Sequence, residues 1–250
     1  MSAVAMDDIY NRRISGFVWM IAAGIVAMLS RIQLRAAEGL IPRPVKSGEL
    51  YKRSTVLAKK MGVYLKRVCV VPFGKGHLTN AYGSVSQKAV TDDYGRWLHG
   101  SQLDFVICHE LAHVKHKDAL KTLGSTVAAF AIVSTPLWFM PPLPVAWRIF
   151  LDFAVILSPL VVFYALSRDR EYKADRLSVQ VTGEPEMAIR ALVALYRSAE
   201  VPSHLSRFAE LFSTHPSLRS RVEAIAREGG IPVETVWQDR ESFIEASHWK

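Results

Sequence analysis

His109-Glu110-Leu111-Ala112-His113 decides how the rest of this 250-residue chain is read. On an α-helix, positions i and i+4 share a face and stand about 6 Å apart along the axis, so both imidazoles can meet a single ion. The carboxylate of Glu110 is then left to take a proton from bound water, which is the outline of a zinc hydrolase centre. The spacing has meaning only on a helix, and the flanking residues predict one. Ser101 with Asp104 three residues on offers a cap, and Leu103, Phe105, Val106, Ile107, Leu111, Ala112 and Val114 supply a broad apolar surface at helical spacing. The motif is therefore expected mid-helix and buried. The competing reading is two ordinary core histidines at a chance spacing, because the pattern fixes only three positions.

A third ligand separates these readings. The metzincin arrangement needs Gly at 116 and His at 119, where this chain has His116 and Ala119, so that class is excluded. The alternative is a carboxylate from a second helix. Ser167-Arg168-Asp169-Arg170-Glu171-Tyr172-Lys173-Ala174-Asp175 offers Glu171 and Asp175 on one helical face, one turn apart. Two His and one Glu leave a fourth position for water, which distinguishes a catalytic site from a structural one.

With both motifs in view, the chain resembles the HtpX-type membrane zinc metalloproteases, a family that also includes the CAAX prenyl proteases. Two further segments carry the resemblance. Asn80-Ala81-Tyr82 stands where that family has Asn-Ala-Phe on an edge strand, and Ser213-Thr214-His215-Pro216 with Arg221 stands where it has Thr-His-Pro and a downstream Arg. The likeness runs from about Glu49 to Arg227. Its departures are Tyr82 for Phe and one N-terminal apolar segment in place of the usual two.

The resemblance implies a zincin-type domain of α+β class, mostly helical with a small sheet, holding one zinc per chain through His109, His113 and Glu171. Glu110 is the expected base. By resemblance, His215 and Arg221 approach the open side of the metal and stabilise the oxyanion, or His215 occupies the fourth metal position in a resting state. Asp175 either orients a ligand imidazole or is a solvated helix carboxylate. Asn80, Ala81 and Tyr82 would hold an extended substrate by strand addition, which suits unfolded segments of many sequences.

Composition agrees with a membrane protein: half of the residues are apolar and the mean hydropathy is +0.14. The uncharged run 14–30 follows Arg12-Arg13 and is expected to be an uncleaved anchor. No charge occurs over 122–147, and 153–167 is again uncharged, which predicts a membrane helical hairpin, roughly 122–140 and 149–166, turned at Pro141-Pro142-Leu143-Pro144. Lys115, Lys117 and Lys121 before it and Arg168, Arg170 and Lys173 after it place both ligand helices in the cytoplasm by the positive-inside rule. An integral protein of a bacterial inner membrane, its partners the lipid bilayer and unfolded or membrane-protein substrates, follows as the expectation. The formal charge of +8 comes with no basic-aromatic cluster, so it fits a surface beside anionic lipid and excludes nucleic acid as the partner.

The expected organisation is a tail and anchor over 1–30, a first catalytic part over 31–121, the hairpin over 122–166 and a second catalytic part over 167–250. Smaller signals predict a helix over 49–61 stopped by Gly62, a strand over 67–71, one or two strands over 80–90 with Gly83 as a bulge or bend, and helices over 185–199 and 217–227. Cys69 and Cys108 fit a reducing compartment and buried packing. Cys108 projects about 100° away from His109, which argues against its being a ligand. The functional expectation is an endopeptidase clearing misfolded or damaged membrane proteins. A dedicated CAAX-type processing protease and a silent, metal-stabilised adaptor are the alternatives.

Overall fold

The computed structural model describes residues 43–71, 82–84, 87–91, 98, 100–139, 144–198, 211 and 213–238. Along them run β1 (Arg43–Val45), α1 (Glu49–Met61), β2 (Arg67–Val71), β3 (Tyr82–Ser84), β4 (Gln87–Thr91), α2 (Ser101–His116) and α3 (Asp118–Ser134). A 3-10 turn (Thr135–Trp138), α4 (Val145–Thr182), α5 (Pro185–Ser198), α6 (Leu218–Glu228) and α7 (Val233–Gln238) follow. The chain is mostly helical with one small sheet, as expected. The anchor expected over 14–30 lies outside the described residues.

Local chemistry explains the element ends. In α1, Ser54, Leu57, Ala58 and Met61 form the buried stripe, and Gly62 closes the helix at φ 67. The amides of Gly62 and Val63 bond back to Lys59 and Ala58, a two-bond cap that needs a left-handed residue and so favours glycine. The sheet has the order β1-β2-β4-β3, with β2 and β4 parallel and the outer pairs antiparallel, which leaves β3 on an edge. Gly83 is not a bulge: it pairs with Lys88 in unbroken register between Tyr82–Ala89 and Ser84–Gln87. A bulge would set two residues against one, and here the count is even.

α2 is the central helix, packed between α1, α4 and α5. Leu103, Phe105, Val106, Ile107, Cys108, Leu111 and Ala112 are buried on every side of it, the mark of a helix inside a core. Its start differs from the expectation. Ser101 is the first helical residue and Gly100 precedes it as the cap, while Asp104 takes hydrogen bonds of 2.9 Å from Arg53 Nη1 on α1. A cross-helix charged partner has displaced the local capping bond.

α3 and α4 form the helical hairpin, but with other bounds than expected. α3 ends at Ser134 because Pro136 cannot continue an α-helix, and the chain tightens into the 3-10 turn. α4 does not stop at 166: it runs 38 residues from Val145 to Thr182, so the hairpin's return arm and the segment carrying Glu171 belong to one continuous helix. Among the described residues no helix is long and apolar enough to cross a membrane. Large apolar side chains nevertheless face outward along this hairpin, including Ile132, Trp147, Phe150, Phe153, Leu157 and Val161.

Candidate metal centre

The metal-ligand geometry is assembled by two helices. α2 presents His109 and His113 one turn apart, and α4 brings Glu171 against them. His109 Nε2 and His113 Nε2 stand 3.2 Å apart; His109 Nε2 lies 3.5 Å from Glu171 Oε2 and His113 Nε2 lies 3.4 Å from Glu171 Oε1. A tetrahedral dication with bonds of about 2.0–2.1 Å holds its ligand atoms about 3.3–3.4 Å from one another, so this spacing fits one. Glu171 Oε2 is buried and has no aligned hydrogen-bond donor. A buried carboxylate oxygen without a donor costs folding free energy unless a cation satisfies it, and the two imidazole nitrogens converge on the same point. Glu110 follows His109 on the half-exposed side of α2 and acts electrostatically on His113.

Each ligand imidazole has a carboxylate behind it. His113 Nδ1 is 2.7 Å from Asp118 Oδ2, and His109 Nδ1 is 2.9 Å from Asp175 Oδ1, the latter close but not aligned as a hydrogen bond. Such partners fix which ring nitrogen faces the metal and make it more basic. Asp118 reaches back across five residues because Lys117, between α2 and α3, sits in the left-handed region at φ 55. Asp175 is buried and locked by Arg221, whose Nε and Nη2 donate to its two oxygens at 2.8 and 2.7 Å.

These charges set the protonation of the cluster. Burial works against charge on His113, yet Asp118 and Glu171 outweigh it and push the imidazole up to about 9. His109 is raised in the same sense: burial opposes it, and Asp175 and Glu171 prevail. Burial would raise Glu171, but His109, His113 and His215 hold it well below the usual carboxylate range. In the protein alone the site thus pairs a carboxylate with a protonated His113, and a metal must displace that proton.

The structure brings His109, His113, Glu171, Asp175, His215 and Arg221 together. His215 Nδ1 lies 3.1 Å from Glu171 Oε2 with much of its side chain exposed, on the solvent side of the cluster. Arg221 is placed otherwise than expected. It is buried behind the cluster, its fork taken by Asp175 and its Nη1 3.5 Å from Glu171 Oε2, so it faces the ligand carboxylate rather than an open coordination position. Tyr82 lies on the edge strand β3, which packs against α2, while Asn80 and Ala81 fall outside the described residues. Burial pushes the Cys108 thiol up to about 12, leaving it protonated in the core.

Two contributors escaped sequence reasoning. Asp118 carries no pattern of its own, since five residues is not a helical spacing and only the turn at Lys117 makes the contact. Tyr196 on α5 donates to the Pro216 carbonyl at 2.8 Å and so braces the turn that carries His215. Its only signal was a tyrosine in an apolar helix.

The model of the family described as Peptidase family M48 matches residues 44–228, most of the chain and every residue of this cluster. The chain belongs to peptidase family M48. This M48 chain is 30% identical over 222 residues to a protease HtpX homologue of Pyrococcus furiosus, covering 73% of itself and 75% of that relative. To a protease HtpX homologue of Thermococcus sibiricus it is 27% identical over 222 residues, covering 72% of itself and 73% of the relative. Its fold also matches the crystal structure of S. mikatae Ste24p, with a TM-score of 0.56 at 19% identity, over 87% of this chain and 60% of that longer one. The M48 chain is accordingly a metalloprotease, a metal-dependent hydrolase of peptide bonds.

Proposed function

We propose that this protein is a membrane-embedded zinc endopeptidase that hydrolyses misfolded or damaged membrane proteins at their cytoplasmic side. The convergence of His109 Nε2 and His113 Nε2 on each other and on the two oxygens of the Glu171 carboxylate, with Glu110 one residue from a ligand, carries this reading. Zinc in this nitrogen, nitrogen, oxygen set would lower the pKa of its water toward about 7 and polarise the scissile carbonyl. Glu110 accepts the water proton as the oxygen attacks the carbonyl carbon, then delivers it to the amide nitrogen as the C–N bond breaks. His215, on the exposed side, donates to the developing oxyanion, a role whose loss typically costs about 3 kcal/mol of barrier. Arg221 acts from behind by holding Asp175 and Glu171 in place.

Substrate would lie extended along β3, the outer strand of the described sheet, held through main-chain hydrogen bonds, so sequence selectivity is loose. The α3–α4 hairpin sits in lipid. Support comes from its outward Trp147, Phe150, Phe153, Leu157 and Val161 and from the uncharged runs that compose it. The 17 residues of α3 rise about 25 Å, a few Å less than a hydrocarbon core, and the following 3-10 turn extends the arm.

The test is cleavage of an unfolded membrane protein by the detergent-purified, zinc-loaded chain beside Glu110→Gln. Activity in the parent alone at equal zinc content supports the reading. Equal activity in both removes Glu110 as base, and cleavage by neither at full zinc removes the broad-specificity endopeptidase in favour of a restricted processing enzyme or an adaptor.

A further inference from the structure

α4 carries Arg168, Glu171 and Asp175 at i, i+3 and i+7, within about 60° of one another on a single face. Each meets a later point of one segment of chain. Arg168 Nη1 donates to the Leu211 and Ser213 carbonyls at 3.0 and 3.3 Å, Glu171 faces His215, and Asp175 binds Arg221. The rungs run in the same order along both partners. The last two involve the metal cluster itself; the first reaches the backbone carbonyls two and four residues before His215.

We propose that Arg168 is a positioning residue for His215: its guanidinium clasps the incoming backbone and thereby sets the imidazole over the open side of the metal centre. This rests on the role given above to His215. His215 is more than half exposed, and beyond the contact of its ring with Glu171 the other bonds of the turn lie within it or at its exit. Ser213 Oγ donates to the His215 carbonyl and accepts from its amide at 2.7 and 3.2 Å, and Tyr196 holds only the following carbonyl, that of Pro216. Those bonds fix the internal shape of the turn and its exit. The bond from Arg168 fixes where its entry stands on α4, 43 residues away in sequence. A charged donor shared by two carbonyls is stronger than a neutral one, and a guanidinium spans both where an ammonium would favour one. Arg168 is also the first charge after the uncharged run 153–167, so the clasp stands where the hairpin arm becomes the catalytic part of α4.

The experiment is a double-mutant cycle in the full-length, zinc-loaded, detergent-purified chain. Arg168→Ala, Arg168→Lys, His215→Ala and Arg168→Ala/His215→Ala are compared for kcat and KM on a reporter-labelled unfolded polypeptide, and for zinc affinity by chelator competition, below the melting temperature of every variant. Arg168→Ala should lower kcat about 10- to 100-fold with KM and zinc affinity near those of the parent. Arg168→Lys should recover part of the loss, and the double variant should be no worse than His215→Ala, since a residue acting through another has nothing left to position. Additive losses, or full activity in Arg168→Ala beside a costly His215→Ala, would overturn the clasp while leaving the role of His215 intact. A fall in zinc affinity with Arg168→Ala would overturn it in favour of a structural role. Full activity in His215→Ala would sink the role of His215 itself, and the clasp with it.

Discussion

At the scale of the residue, the ligands depend on what stands behind them. Asp118 is the partner of His113 Nδ1 at 2.7 Å, and Asp118→Asn keeps its shape while removing its charge. Zinc affinity measured by chelator competition should fall about 10- to 100-fold, with little change in the fold. Asp175 behaves differently, because removing it strands the buried Arg221. The protonation of His113 gives a second prediction. Burial disfavours its charge, yet Asp118 and Glu171 raise it to about 9, above its ordinary 6.5. A group raised by folding contributes stability in full below 6.5 and loses it as pH rises through 9. The metal-free chain should therefore melt at a lower temperature at the alkaline end of this window than at the acid end. The zinc-loaded chain should show the reverse, because acid returns the proton that the metal displaced. Thermal melts across the window, with and without chelator, check both signs; parallel curves would remove the proposed competition.

At the scale of the element, one residue of backbone joins two parts of the site. Lys117 holds φ 55 and, by turning the chain there, swings Asp118 under His113. A left-handed conformation costs a residue with a Cβ about 1–2 kcal/mol, and glycine avoids that while losing some unfolded-state freedom. Lys117→Gly is expected to stabilise by up to about 1 kcal/mol with zinc affinity retained, whereas Lys117→Val should destabilise and weaken zinc binding as Asp118 moves. Melting temperature and chelator competition report the two effects separately. The same scale explains why α4 matters more than its apolar composition suggests. The helix is continuous across 166–167 and so joins the hairpin's return arm directly to the Glu171 face.

At the scale of the whole molecule, the catalytic helices form a buried core, with apolar side chains turned outward along the hairpin. Leu157 and Val161 are 49% and 58% exposed, one turn apart on α4. With Leu157→Glu and Val161→Glu together, each charge placed in hydrocarbon costs about 3 kcal/mol. The parent should float with liposomes and the double variant should not, at unchanged zinc content. A parent that stays in the soluble fraction would remove lipid as the partner of this face.

The sequence alone determined what short-range chemistry encodes. The bounds of α1 and its Gly62 stop, the strand at 67–71, the burial of the His109 and His113 helix, and the shared face of Glu171 and Asp175 all follow from periodicity and caps spanning a few residues. Family motifs in order pointed to the protease chemistry. Only the tertiary structure decided that Asp104 serves Arg53 rather than its own helix start, and that Arg221 faces Asp175 from 46 residues away instead of the open side of the metal. It also decided that Asp118 completes the site and that Arg168 reaches the chain before His215. The physical reason is common to these cases. A charged side chain takes whichever partner packing leaves within about 3 Å in a low-dielectric interior, and sequence spacing does not specify that partner.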